Sequence, residues 1–128
     1  ALCALADAEH TQVAHVKPHG ALYNVACADA TVADAIVRGV TLVGCALAMY
    51  APGVSALATS ARTAGLRVVA EGFLDRAYED DGRLTPREVP GAVLHDPEAA
   101  RARAIAWART GQVTSRSGRA LSLPLETL

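Results

Sequence analysis

Two hydrophobic patterns alternate along this chain: short, nearly continuous apolar runs, and longer segments in which apolar residues return every three or four positions. The first pattern is typical of strands in a parallel sheet that is buried on both faces, and the second of helices with one buried side. The runs predict strands over Gln12–Lys17, Val40–Leu47, Leu66–Glu71 and Ala92–His95. Near the end of the chain, Val113–Leu123 predicts a hairpin that turns at Ser117-Gly118.

Start and stop signals mark the helices between these strands. Asp29 is suited to cap a helix that Gly39 would end, and Asp96 to cap one that has Pro97 at its first position and Gly111 beyond its end. Trp107 would anchor this last helix to the core. The predicted helices are Ala1–Glu9, Ala30–Arg38, Ser55–Ala64 and the segment between Pro97 and Gly111.

Alternation of strand and helix predicts βαβ units, and therefore an α/β fold with a parallel sheet. With 128 residues, of which 52% are hydrophobic, the chain can bury a core, and we expect one domain over residues 1–128. A small open α/β sheet is one form that this pattern allows.

Two polar segments lie where predicted strands end, at residues 15–24 and 71–97. The carboxyl ends of parallel strands are where α/β proteins bind ligands, so the chemistry is expected there.

In the first segment, strand alternation puts Val13, His15, Lys17 and His19 on one side. Lys17 could polarise a carbonyl or hold a phosphate, and His19 could carry protons or ligate a metal. The alternative is an internal ion pair for Lys17 and a loop hydrogen bond for His19. Asn24 is a candidate for hydrogen bonding to substrate, whereas Tyr23 and His15 are assigned to structure.

In the second segment, Glu71 and Asp75 share a face and could divide acid and base roles or hold a divalent metal. The alternative is an ion-pair network, Glu71 with Lys17 and Asp75 or Asp81 with Arg87, which would pin a long loop over residues 75–90. Candidates for binding substrate or phosphate in this segment are Arg76, which points towards the loop or the next strand, Arg87 and His95.

Charge and composition exclude several classes of protein. Twelve basic and thirteen acidic residues give a formal net charge of −1 without a basic stripe, so nucleic acid is not an expected partner. No apolar run approaches the roughly 20 residues that span a bilayer. Three cysteines without a C-x-x-C pair are expected to be reduced in a cytoplasmic protein. No nucleotide-binding motif is present.

The two polar segments also carry a resemblance. The sequences VKPHGALYN and EGFLDRAYEDDGRLTPREVPGAVLHDPEAA resemble the LamB/YcsF family of lactam utilisation proteins, in the family's order and at about its spacing. This resemblance implies the A subunit of a 5-oxoprolinase, which opens 5-oxo-L-proline to L-glutamate with ATP as co-substrate and works with B and C subunits. It also implies about half of a seven-stranded (β/α) barrel of the glycoside hydrolase/deacetylase type, in a fragment of a longer protein.

Site roles follow from the candidates and the resemblance together. Lys17 and Arg87 would neutralise the substrate carboxylate or a phosphate, and His19 would carry a proton. Glu71 or Asp75 would orient a water or a metal, with His19 and Asp75 as possible metal ligands. Two alternatives stay open: a metal-dependent hydrolase of the deacetylase type, and a non-catalytic remnant that binds partners.

Overall fold

A computed structural model describes residues 1–128 and contains five α-helices and five β-strands. The helices are α1 (Leu2–Ala8), α2 (Gly20–Ala28), α3 (Ala30–Leu42), α4 (Ala56–Thr63) and α5 (Pro97–Thr110). The strands are β1 (His15–Val16), β2 (Ala48–Ala51), β3 (Val68–Ala70), β4 (Gln112–Thr114) and β5 (Ala120–Ser122). None of the five helices combines the length and the apolar character that crossing a lipid bilayer needs.

The chain divides into two compact units. The first comprises Ala1–Ala51 and Ser55–Val69, and the second Pro52–Val54 and Ala70–Leu128. The prediction of one domain over residues 1–128 stays a prediction.

A three-stranded sheet in the order β1-β2-β3 organises the first unit. Strands β1 and β2 run parallel, with His15 opposite Ala48 and Val16 opposite Met49. The neighbouring backbone bonds run from Ala48 N to the Ala14 carbonyl (3.0 Å) and from Met49 N to the Arg67 carbonyl (2.8 Å). The predicted α/β class with a parallel sheet is therefore confirmed.

Helices α2, α3 and α4 supply the core that covers one face of this sheet. Most of its members are small, which lets helices and strands approach closely. The buried set is Ala26, Ala33, Val37, Val40, Leu47, Met49, Ala51, Leu57, Ala58 and Ala61.

The second unit is built around two aromatic rings. Tyr78 and Trp107 are buried edge to face, with ring centroids 5.6 Å apart and an interplanar angle of 89°. Val113 and Leu121 of the antiparallel β4–β5 hairpin complete this core. Trp107 of α5 therefore anchors its helix, as predicted.

Local signals located several elements correctly. The Asp96 carboxylate accepts a hydrogen bond from Glu98 N (3.0 Å), and Gly111 ends α5 in the left-handed conformation at φ 67°. The Asp29 carboxylate caps α3 at Thr31 N (2.7 Å), and the Ser55 hydroxyl caps α4 at Ala58 N (3.1 Å). The predicted hairpin is present as β4 and β5.

The strand predicted over Val40–Leu47 is wrong. Helix α3 continues through Gly39 to Leu42, the chain turns at Gly44 (φ 74°), and the strand begins only at Ala48. Val40 packs in the same core as Val37, whereas Leu42 and Val43 are exposed, so only the start of this apolar run belongs to the buried side of the helix. Apolar content alone does not separate a buried helical turn from a buried strand.

Other boundaries also differ from the predictions. Residues 20–28 form α2, which was not predicted, and β1 and β3 are shorter than the apolar runs around them. The segment Ala92–His95 contributes only an isolated antiparallel bridge between Arg76 and Val93. The loop over residues 75–90 has internal order, because Tyr78 pairs with Leu84 and Glu79 N donates to the Arg83 carbonyl (2.8 Å).

Candidate functional site

The sheet of the first unit has two chemically different faces. Val16 and Met49 point to the helices and the aliphatic core. Their neighbours His15 and Tyr50 lie on the opposite face, where the two rings stack with centroids 4.2 Å apart at an interplanar angle of 23°. His15 is exposed and Tyr50 is half-buried. On this face the strands β1 and β2 therefore carry a pair of polar aromatic groups.

Lys17, the only lysine in the sequence, follows β1 and is half-buried. Its Nζ lies 5.3 Å from the centroid of the Tyr23 ring, within the range of a cation–π interaction. Tyr23 is itself buried in α2, in agreement with the packing role predicted for it. Helix α2 therefore supports the ammonium group with an aromatic ring.

His19 and Asn24 are exposed on the segment that follows Lys17. His19 is the N-cap residue of α2 in an extended conformation, and its side chain makes no capping hydrogen bond. Gly20 turns the chain into the helix at φ 61°, a conformation that favours glycine. Val13 packs with Val16 against the core, so the predicted alternation does not reach back to Val13.

The predicted acidic residues lie in the second unit. Glu71 is half-buried and its backbone bridges to Thr127, whereas Asp75 is exposed and its carbonyl accepts a bond from Leu94 N (2.8 Å). Asp81 pairs with Arg83 at 2.6 Å, and this hydrogen-bonded pairing lowers the pKa of the Asp81 carboxyl. The alternative ion-pair network placed Asp75 or Asp81 against Arg87, and its Asp81–Arg87 pairing is therefore wrong.

Arg76 is the most deeply buried charged residue of the second unit, with 5% of its surface exposed. Its Nη2 donates to the Thr85 carbonyl (2.6 Å), while its Nε has no hydrogen-bond partner. The backbone carbonyl of Arg76 accepts a bond from Arg103 Nη1. Burial lowers the pKa of Arg76, and the charge of Arg87 lowers it further. Arg76 thus fastens the loop to which Thr85 belongs.

Arg87 and His95 are both exposed, and Arg87 forms no ion pair. Arg103, which the sequence did not single out, is half-buried on α5, and burial lowers its pKa. Arg103 contacts the carbonyl of Arg76, which lies far away in the sequence. No local sequence pattern marks such a contact, so only the folded chain identifies it.

The structure contains no cluster of side chains that could ligate a metal ion. The predicted ligands His19 and Asp75 belong to different units, and no three His, Cys, Asp or Glu side chains are grouped as a metal site would require. Asp80 is held by hydroxyl groups, because its Oδ1 accepts from Ser115 Oγ and Ser117 Oγ, both at 2.6 Å. These bonds lower the pKa of Asp80.

Comparison with known proteins gives one consistent result. The model of the LamB/YcsF family matches residues 1–128. The chain is 51% identical over 128 residues to the 5-oxoprolinase A subunit of Symbiobacterium thermophilum, and 45% identical to that of Syntrophobacter fumaroxidans. These matches cover 100% of this chain but 49% and 51% of the relatives, so the chain spans about half of their length.

A solved structure agrees with this result. The lactam utilization protein from Thermus thermophilus is similar with a TM-score of 0.89 at 40% sequence identity. The similarity covers 99% of this chain and 51% of that one.

Proposed function

The chain belongs to the LamB/YcsF family, and from this premise we propose that it forms part of the A subunit of a 5-oxoprolinase. The enzyme would open 5-oxo-L-proline to L-glutamate, driven by the hydrolysis of ATP and assisted by B and C subunits. The observation that carries the proposal is the 51% identity over the whole chain to a 5-oxoprolinase A subunit.

Opening a lactam is difficult because amide resonance stabilises the ring C–N bond. Phosphorylation of the lactam oxygen at the expense of ATP would weaken that resonance. A cation close to the ring would then stabilise the negative charge of the transferred phosphoryl oxygens and hold the substrate carboxylate. Lys17 suits this role, because its ammonium group is half-buried and supported by the Tyr23 ring.

His19 and Asn24 would act beside Lys17. His19 lies at the N-cap of α2 with its side chain exposed, so it can exchange a proton with solvent and with a leaving ring nitrogen. Asn24 offers an amide that can donate and accept hydrogen bonds.

The remaining predicted roles fall on residues of the second polar segment, 71–97. Glu71 or Asp75 would orient the attacking water or a divalent metal. Arg87 and His95 are exposed and would contact carboxylate or phosphate oxygens directly. Arg76 would act through the loop that it fastens at Thr85.

The test measures glutamate released from 5-oxoproline and ATP by the complete protein, with and without its B and C subunits. We expect release only when all subunits are present. Lys17→Met should lower kcat/KM by about 100-fold, because one cation at the reacting oxygen is lost. Arg101→Met is the matched control, since Arg101 is exposed on α5 and makes only a surface pair with Glu98.

Two outcomes would contradict the proposal. Complete subunits that release no glutamate would exclude the reaction, and wild-type turnover in Lys17→Met would exclude the role of Lys17. Loss of activity on chelation, with turnover that needs no ATP, would instead support a metal-dependent hydrolase.

A further inference from the structure

We propose that Arg103 of α5 is a positioning residue for the reaction, because it holds the backbone segment that carries Asp75. This inference rests on the proposed function and deepens it, since Arg103 lies outside both polar segments of the sequence. Arg103 touches no reacting atom and acts through the carbonyl of Arg76.

The segment that carries Asp75 is paired along one edge only. Leu94 N donates to the Asp75 carbonyl (2.8 Å), and Ala77 N donates to the Ala92 carbonyl (2.9 Å). Successive peptide groups of a paired, extended segment point to opposite edges. The carbonyl of the residue between Asp75 and Ala77 therefore points away from residues 92–94.

That carbonyl belongs to Arg76, and Arg103 Nη1 donates to it from α5. Arg103 and Trp107 are four residues apart and therefore lie on the same side of the helix. Trp107 packs edge to face with Tyr78, with ring centroids 5.6 Å apart. Two contacts one helical turn apart thus hold the segment against α5, one through the backbone and one through a ring.

The same contact extends to the loop that carries Arg87. Nη2 of Arg76 donates to the Thr85 carbonyl (2.6 Å), and Arg87 follows two residues later. A shift of the Arg76 backbone would therefore move both the segment of Asp75 and the anchor of this loop.

The charge of Arg103 is costly for a residue that only fills space. Arg103 is half-buried and forms no ion pair, although a buried charge without an ionic partner is unfavourable. Burial lowers the pKa of Arg103, whereas Tyr78 and Asp75 act in the opposite direction. The carboxylate of Asp75 is therefore within electrostatic reach of the guanidinium that holds its backbone.

A purely structural role is the competing explanation, since a hydrogen bond from a charged donor also stabilises the fold. The two roles differ in what they predict. A structural role changes the fraction of folded enzyme, whereas a positioning role changes the turnover of each folded molecule and depends on Asp75.

The first experiment measures kcat and KM for glutamate release by the complete protein with its B and C subunits, per folded molecule. Arg103→Met removes the donor and should lower kcat by about tenfold or more, with KM within about threefold of wild type. Arg103→Lys keeps a charged donor and should recover part of the loss. Arg101→Met, on the exposed side of α5, is the matched control and should stay within about twofold of wild type.

A double variant tests the dependence on Asp75. If Arg103 acts through Asp75, Arg103→Met should lower kcat by less than about threefold once Asp75→Asn is already present. Independent effects would multiply.

The second experiment needs no turnover. In the complete protein, Arg103→Met should speed hydrogen exchange of the Leu94 amide by about tenfold or more. The Ser115 amide, which donates to the Arg119 carbonyl (2.9 Å) in the hairpin, should keep its wild-type rate.

Wild-type kcat in Arg103→Met, multiplicative effects in the double variant, or equal acceleration of exchange at Leu94 and Ser115 would each overturn the proposal. Failure of the proposed function has a different signature. In that case the wild-type enzyme releases no glutamate, and the exchange rates still decide whether Arg103 holds the segment of Asp75.

Discussion

Among the glycines, Gly72 is the one at which an added Cβ would meet the shortest contacts. A Cβ added at Gly72 would lie 2.5 Å from Leu125 Cδ1 and 2.7 Å from Trp107 Cη2. The backbone of Gly72 and the indole ring of Trp107 can therefore lie this close together only because position 72 has no side chain. Trp107 cannot retreat easily, since only 1% of its surface is exposed and it packs beside Tyr78.

Gly72→Ala is expected to destabilise the complete protein by about 1–3 kcal/mol through overpacking. Denaturant unfolding followed by tryptophan fluorescence measures this change. Gly39→Ala is the matched control: Gly39 lies inside α3 with no atom within 4 Å of the added Cβ, so alanine should stabilise by about 0.5–1 kcal/mol. Equal effects at the two glycines would contradict the packing argument.

Tyr78 makes the free energy of unfolding depend on pH in the alkaline range. Burial raises its pKa to about 12 from the ordinary value of 10, despite the hydrogen bond that Phe73 N donates to the phenol oxygen (2.8 Å). Because the folded chain retains the proton that the unfolded chain loses, this contribution is complete below pH 10 and is lost by pH 12. It amounts to about 2–3 kcal/mol.

The measurement is the free energy of unfolding at several pH values between about 9 and 12 for wild type and Tyr78→Phe. We expect the variant to be less stable at the lowest of these pH values and to lose less stability as the pH rises. The difference between the two proteins isolates Tyr78 from the thiol of Cys45, whose pKa is also raised, chiefly through its hydrogen bond with Cys3. Parallel pH profiles would contradict the assignment.

At the scale of elements, helix starts were predictable because a cap acts within a few residues. Asp29 and Asp96 each accept bonds from backbone N–H groups of the first turn, and the sequence alone indicated both. The end of α3 was not predictable in this way. Gly39 resembles a helix stop signal, but the next residue, Val40, is buried in the core when the helix continues. The free energy gained by burying Val40 outweighs the modest cost of a glycine inside a helix.

Asp96→Ala is expected to destabilise the complete protein by about 1 kcal/mol, because the first turn of α5 loses its capping acceptor. The free energy of unfolding from urea titration measures the loss. Asp34→Ala, at an exposed position inside α3, should change stability by less than about 0.5 kcal/mol. A neutral Asp96→Ala would mean that Pro97 and tertiary packing alone hold the helix start.

At the scale of the molecule, the fold consists of two compact units, each with its own buried cluster. The chain spans about half of its relatives, and its similarity to the solved lactam utilization protein covers about half of that chain. Helix α1 buries none of its residues, and Leu2 and Leu5 are largely exposed. Closure into a seven-stranded barrel stays a prediction, because the sheet of the first unit has three strands.

The sequence by itself determined the features that depend on near neighbours: the α/β class, the caps of α3 and α5, the turn of the β4–β5 hairpin, and the family. Only the tertiary structure decided that residues 40–42 belong to a helix, that His15 stacks on Tyr50, and that Arg76 is buried against the Thr85 carbonyl. The physical reason is the separation along the chain between the residues that interact. Caps and turns act within one or two turns of backbone, whereas burial and ring stacking join residues far apart in the chain and exist only once it has folded.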